Sequence, residues 1–149
     1  MEKVTVQLGK AAWHDHACET IWARPLGEDR FQIQNVPFYA YGISYDDVVD
    51  VRTTGELNLV GTVVKRGGHS TYRIFVTTGE ALKRFHEFWR PLEHAGCTVE
   101  RATDRLFAVD VPPEADIYAV YRMLQAGEDA SVWDFEEGHV GHPLKSPDG

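Results

Sequence analysis

In residues 1–66 apolar positions alternate with polar ones in short runs, broken by turn residues roughly every ten positions. Val4, Val6 and Leu8 form the first run and Thr20 to Arg24 the second, which Pro25-Leu26-Gly27 should stop. Arg30 to Asn35 alternates cleanly, with Phe31 and Ile33 on one face, and a turn at Glu28-Asp29 makes a hairpin of the two. Asn35-Val36-Pro37-Phe38-Tyr39-Ala40-Tyr41-Gly42 resists regular structure yet is rich in aromatics. A strand then enters through Asp46-Asp47 to Val51, Thr53 to Glu56 turns, and Leu57 to Lys65 makes a long strand with a bulge or bend at Gly61. Five short strands of this kind suit a small, strongly bent β-barrel or roll over residues 1–66.

After residue 67 the period changes. Gly67-Gly68 reads as a flexible polar hinge feeding a strand over Ser70 to Thr77. Leu82, Phe85, Phe88, Trp89, Leu92 and Ala95 then fall at helical spacing, and Pro91 should kink that helix or stop it early. Cys97 to Ala102 and Leu106 to Val111 make a second hairpin. Pro112-Pro113-Glu114 should open a helix that carries Ile117, Val120, Tyr121 and Leu124 inward and ends at Gly127, and Ser131 to Glu136 alternates as a last strand. The order strand, helix, strand, strand, helix, strand predicts a ferredoxin-like unit over residues 67–137, followed by a loose tail over 138–149. The fold class is therefore α+β, with any ligand or partner contact organised around the seam between two differently built halves.

That topology puts the Ser70 strand between the strands at Leu106 and Ser131. If Tyr72, Ile74, Val76, Phe107, Val109, Trp133 and Phe135 meet the helices, then Arg73, Phe75, Leu106, Ala108, Asp110, Val132 and Asp134 share the other face. That second face is half apolar and needs a cover, from the first half of the chain or from a partner. Arg73 should be flanked there by Asp110 and Asp134.

Charge narrows the choice of partner. Of the net −8, residues 1–66 contribute −2 (7 basic, 9 acidic) and residues 67–149 contribute −6 (8 basic, 14 acidic). Such a surface repels phosphate backbones and anionic lipid, which argues against nucleic acid and membrane and for a partner with a basic surface or a small ligand. No apolar run approaches the ~20 residues of a membrane span, and the N-terminus shows no secretory h-region. Cys18 and Cys97 alone make no disulfide framework, so a reducing cytoplasm is expected. No cofactor motif is present. Gly67-Gly68 precedes a strand where a phosphate loop would precede a helix.

The remaining candidates are clusters. Phe38, Tyr39 and Tyr41 either plug the structure or line a pocket, and the plug is favoured because burying aromatic area is the commoner use. His69, Thr71, Arg73, Asp110 and Asp134 form the best polar group, read as a salt-bridge network or as a cradle in which Arg73 holds an anion. A hydrolase reading pairs His69 with Asp47. His14, His16 and Cys18 alternate on an extended segment and could supply three metal ligands, which His139 or His142 would have to complete. Cys97 reads as a small buried hydrophobe.

Glu19-Thr20-Ile21-Trp22-Ala23, Asn35 to Gly42, Asp47-Val48-Val49, Gly68 to Arg73, Gly96-Cys97 and Trp133 to His139 together resemble a bacterial domain-of-unknown-function family, number 4265, over roughly residues 15–143. The resemblance implies a small, soluble bacterial protein and carries no activity. The expected function is a non-enzymatic protein-binding or regulatory module of antitoxin or immunity type. The alternatives are a small hydrolase and a small-molecule sensor with a pocket between the halves.

Overall fold

The computed structural model describes residues 1–9 and 14–145. Among the described residues, nine strands and three helices follow in the order β1 (Glu2–Gln7), β2 (Cys18–Gly27), β3 (Arg30–Ile33), β4 (Val48–Thr54), β5 (Leu57–Lys65), β6 (Ser70–Val76), α1 (Gly79–Leu82), α2 (Phe85–His94), β7 (Thr98–Arg101), β8 (Leu106–Val111), α3 (Ile117–Asp129) and β9 (Trp133–His139). The fold is mixed α+β with two sheets.

β1 to β5 pair in sequence, and a parallel contact of Thr5 with Leu59 closes them into a ring. Inward positions alternate as the sequence requires. Val4, Val6, Ile21, Ala23, Phe31, Ile33, Val49 and Val51 form one buried cluster, onto which Ala40 and Ile43 pack from the aromatic loop. Glu28 and Asp29 both take positive φ, 55° and 59°, as a two-residue turn between twisted strands demands. The irregularity between β4 and β5 falls where Gly61 and Thr62 face Asp50, whose carboxylate accepts both the Thr62 amide and hydroxyl.

The second sheet has the order β7-β8-β6-β9, antiparallel throughout. α2 and α3 cover one face through Trp89, Leu92, Val120 and Leu124, packed on Tyr72, Ile74, Val76, Phe107, Val109 and Trp133. Burial pushes the Cys97 thiol in this cluster up to about 12, with Asp110 adding to the shift, so the thiol stays protonated and packs as an apolar group.

Several boundaries differ from expectation, each for a local reason. β2 runs on through Pro25 to Gly27, because the register shift between Pro25 and Gly27 gives proline a bulged position where no ladder N–H is required. Asp46 and Asp47 precede β4, with Asp46 at φ 70°. The expected single helix is two. It breaks at Lys83–Arg84, ahead of Pro91, where the Lys83 and Arg84 amides bond three residues back and turn Phe85 onto Phe107, ring centroids 4.4 Å apart. Pro91 sits inside α2 on its exposed side, so the Glu87 carbonyl left without an amide faces water.

α3 begins later than the two prolines suggest. Asp116 caps it by accepting from Tyr118 and Ala119. Gly127 does not end α3. It lies inside the helix, and a Cβ there would run into the Trp133 indole, whose N–H donates to the Leu124 carbonyl at 2.8 Å. Val132 belongs to the helix-side core, because Ser131 at φ 59° redirects the chain before β9 starts. Gly67 is tied down, its amide donating to Asp47, so the expected hinge is a fastened corner.

The start of the expected tail is also fixed. Gly138 and His139 are in β9. His142 is buried, accepts the Ser70 hydroxyl at Nδ1 and donates from Nε2 to the Pro112 carbonyl. Residues 146–149 of that tail, and residues 10–13 of the stretch before His14, lie outside the described residues.

Gly127→Ala tests the closeness of α3 to the sheet. A methyl inside the Trp133 ring must displace either the indole or the helix, and a loss of about 1–3 kcal/mol is expected by chemical denaturation. A variant as stable as the parent would show that Trp133 repacks without resistance.

Candidate functional site

The uncovered face of the second sheet carries Thr71, Arg73 and Phe75 of β6, flanked by Asp110, Ala108 and Leu106 on β8 and by His139, Glu136 and Asp134 on β9. Loop 34–47 from the first half of the chain lies across the Thr71–Arg73 end. The backbone of its residues 36–40 is satisfied by three side chains that reach it from outside, Glu19, Glu100 and Arg73.

Glu19 is on β2 at the same parity as Ile21 and Ala23, so it points inward and is buried. Its carboxylate accepts the amides of Phe38 at 2.7 Å, Tyr39 at 3.0 Å and Ala40 at 2.9 Å. Glu100 of β7 takes the Val36 amide and the Asn35 side chain, while burial, ahead of those bonds, holds its carboxyl above the usual carboxylate range. Pro37 has no amide to satisfy. The carbonyls go to Arg73. Its Nη1 donates to Ala40 at 2.7 Å and Pro37 at 3.2 Å, its Nη2 to Tyr39 at 3.4 Å, and its Nε to Glu136 at 3.2 Å. Tyr41 lies over the guanidinium, 4.8 Å from Cζ to the ring centroid, and donates its hydroxyl to Glu136 at 2.7 Å.

Arg73 is thus 2 % exposed and its donors are committed within the chain. The carboxylate beside it is Glu136, where Asp110 and Asp134 were expected. β9 extends to His139, so Glu136 stands opposite Arg73, and Asp134 falls two residues on, opposite Phe75. The extra residue in β9 is Gly138, where a Cβ would stand 2.6 Å from Arg73 Nη1.

Asp110 instead holds His69, with Nδ1 at 2.9 Å from Oδ1. Nε2 of His69 faces Asp46 at 3.5 Å, and Tyr45 meets the ring edge-on at 5.2 Å. Burial holds the Asp110 carboxyl above its ordinary value, with His69 pulling it down less than burial raises it. Asp47 does not meet His69. Its buried carboxylate accepts the amides of Ser44 and Gly67 and pairs with Arg66, each at 2.9 Å. Thr71 shares a hydrogen bond with Ser44 at 2.7 Å. The pairing of His69 with Asp47 is therefore replaced by His69 with Asp110 and Asp46.

Tyr39 packs between His14 and His16, its centroid 5.0 and 4.2 Å from theirs. Cys18 is exposed on β2, and among the described residues no three His, Cys, Asp or Glu side chains converge on one point. His139, in β9, stands against Thr71, and His142, just after that strand, against Ser70. Ser70 and His142 share a 2.6 Å bond but make no accessible nucleophile, since Ser70 is fully buried and its Oγ also accepts the Gly141 and His142 amides.

Glu19, Glu100 and Glu136 are absent from the candidate site residues that the sequence offers. For Glu19 a signal existed: an acid at an inward position of an alternating strand has to meet donors. Phe38 and Tyr39 are half-buried and Tyr41 is exposed, so the aromatic loop closes over Arg73 with its backbone and keeps Tyr41 at the surface.

Beyond Tyr41 the face opens into a groove of about 330 Å3 lined by Arg73, Phe75, Leu106, Asp134, Phe135 and Glu136. Phe75 is 46 % exposed there. The expected cover stops short of this end.

Removing either half of the clamp should be severe. Glu19→Ala orphans three amides, and Arg73→Met orphans the loop carbonyls and takes the counter-charge from Glu136. Each is expected to lower stability by about 3–5 kcal/mol in urea unfolding. A loss below about 1 kcal/mol for both would mean that water takes over those bonds.

His139 gives a pH dependence. Burial, then the Arg66 charge, hold its imidazole below the ordinary value, and its Nε2 has no hydrogen-bond partner among the described residues. The folded form therefore resists a proton that the unfolded chain accepts near pH 6.5. Its contribution is complete above that pH and is lost as pH falls below it. The stability of His139→Asn minus that of the parent should rise on going from pH 7 to pH 5, and a flat difference would refute this.

The family model for a domain of unknown function, DUF4265, matches residues 19–135. A solved structure described as a novel crystal structure of a hypothetical protein from Neisseria gonorrhoeae shares the fold, with a TM-score of 0.76 and 19% identity over 93% of this chain and 94% of that one. A search of the curated proteins finds no match. The matched span holds Glu19, the aromatic loop, Arg73, Asp110 and Asp134, and the chain belongs to the DUF4265 family.

Proposed function

We propose that this protein is a non-enzymatic binding module that presents the uncovered face of its second sheet to a protein partner with a basic surface. The observation that carries the reading is a division of labour between buried and exposed polar groups. Arg73, Glu19, Asp47 and Ser70 are consumed in holding backbone, while Tyr41, Phe75 and Asp134 face solvent beside a groove. The net charge of −8, most of it after residue 67, favours a cationic partner. The antitoxin or immunity type of role and a cytoplasmic site of action belong to the same proposal. No helix of the described residues is long and apolar enough to cross a membrane.

The finer classification we propose is a bent barrel over residues 1–66 followed by a ferredoxin-like unit over 67–137. The order β7-β8-β6-β9 and the placing of both longer helices on one face support it. One observation favours a second reading, a small-molecule site. The groove's 330 Å3 falls at the lower end of the range for ligand pockets.

A photo-crosslinking residue placed at Asp134 in the source cells tests the proposal, with Glu93 on α2, across the sheet, as control. Position 134 should trap a basic protein at low salt and lose it at high salt, and position 93 should not. Equal trapping from both positions, or none from 134, would overturn the assignment of this face.

A further inference from the structure

Asp134 and Arg105 stand on either side of one exposed ring without meeting. Arg105 lies over Phe75 with Cζ 5.8 Å from the centroid, held there by a bond from Nη1 to the Thr77 carbonyl at 3.1 Å. Asp134 is opposite Phe75 on β9 and forms no ion pair among the described residues. Glu136, the other acid of the groove, is taken by Arg73 and Tyr41. The floor is apolar, made chiefly by Phe75 and Leu106. An aromatic face, an uncommitted carboxylate and an apolar channel are what an arginine side chain requires: a ring to stack on, an acid for its fork and a surface for its stem. Arg105 shows that the ring accepts a guanidinium.

The groove also runs beside β9, an edge strand of its sheet. A segment laid along such an edge is extended, and it spaces its side chains so that alternate ones enter one face.

We propose that this groove docks an extended, arginine-bearing segment of a partner protein, with the guanidinium seated on Phe75 against Asp134 in the place that Arg105 holds. The proposal rests on the binding reading above and narrows it to one side-chain class and one location. Arg105 is the resident competitor. It screens the ring in the free protein, and its charge opposes the incoming one.

A short fluorescein-labelled peptide alternating arginine with valine, and the same peptide with citrulline for arginine, test this by fluorescence anisotropy at low and moderate salt. The arginine peptide should bind and the citrulline peptide should not. Asp134→Asn should weaken binding about two- to fivefold. Arg105→Ala should tighten it by a similar factor, a direction that loss of structure cannot produce. Glu93→Gln should change nothing. All these side chains are exposed, and unchanged melting temperatures verify that each variant is folded.

Equal weakening by Asp134→Asn and Glu93→Gln would reduce the effect to diffuse attraction and overturn the site. So would weakening by Arg105→Ala, or no binding to either parent or Arg105→Ala. A concentration-dependent dimer abolished by Phe75→Glu would make a second copy the occupant and overturn the peptide. A basic partner crosslinked at position 134 whose binding survives replacement of its arginines would remove this inference and leave the binding reading standing.

Discussion

One short run of backbone, residues 36–40, is held by opposite charges on its two sides. Carboxylates take the amides and a guanidinium takes the carbonyls. Neither group could be buried alone, since an uncompensated charge in the interior is among the most costly things a fold can contain. Each is stabilised by the peptide dipoles it satisfies, and each satisfies dipoles that an irregular, buried loop would otherwise leave unpaired. The irregularity imposed by Asn35, Pro37 and Gly42 and the buried charges on β2 and β6 thus solve a single problem. Without the loop, Arg73 and Glu19 would be buried with too few partners. Without those side chains, the loop could not lie against the sheet.

This reciprocity also shapes what the protein can do. Groups that look reactive when named singly lose that character once their partners are counted. Arg73 cannot grip an external anion while three carbonyls and Glu136 hold it. Ser70 accepts two amides and gives its proton to His142. Asp47 anchors the corner between β5 and β6. His69, oriented by Asp110 with Nε2 toward Asp46, is the arrangement closest to acid–base machinery, and it too is used to bind the 44–47 turn to the sheet. What faces solvent is Tyr41, Phe75 and Asp134, at the far end of the same sheet face.

Much of the architecture was legible from period alone. Alternation located the strands of both sheets, and the parity of Tyr72, Ile74 and Val76 against Arg73 and Phe75 sorted the two faces of β6 correctly, while Val132, expected on the open face, lies in the helix-side core. Boundaries were missed where a local rule yielded to packing. Pro91 is tolerated because its side of α2 faces water, and Gly127 is small because an indole leans on it. The site was legible only in part. Arg73 could be singled out as a buried cation, but its partner depends on the register of β9, which sets Glu136 opposite it and Asp134 opposite Phe75. Glu19 lay in plain view as an inward acid. Its targets were loop amides 19 to 21 residues away, which no spacing rule reaches.

The position of Glu136 has a consequence for how the protein is made. Glu19 and the loop it secures both lie within the first 42 residues, so they can meet as soon as that part of the chain leaves the ribosome. Arg73 arrives later, and Glu136, which completes its charge balance, lies a further 63 residues on. Until that last strand is synthesised, the nascent chain carries a cation whose counter-charge does not yet exist, beside a sheet that lacks its edge. Closure of the aromatic loop over a charge-balanced Arg73 therefore waits until β9 has been synthesised.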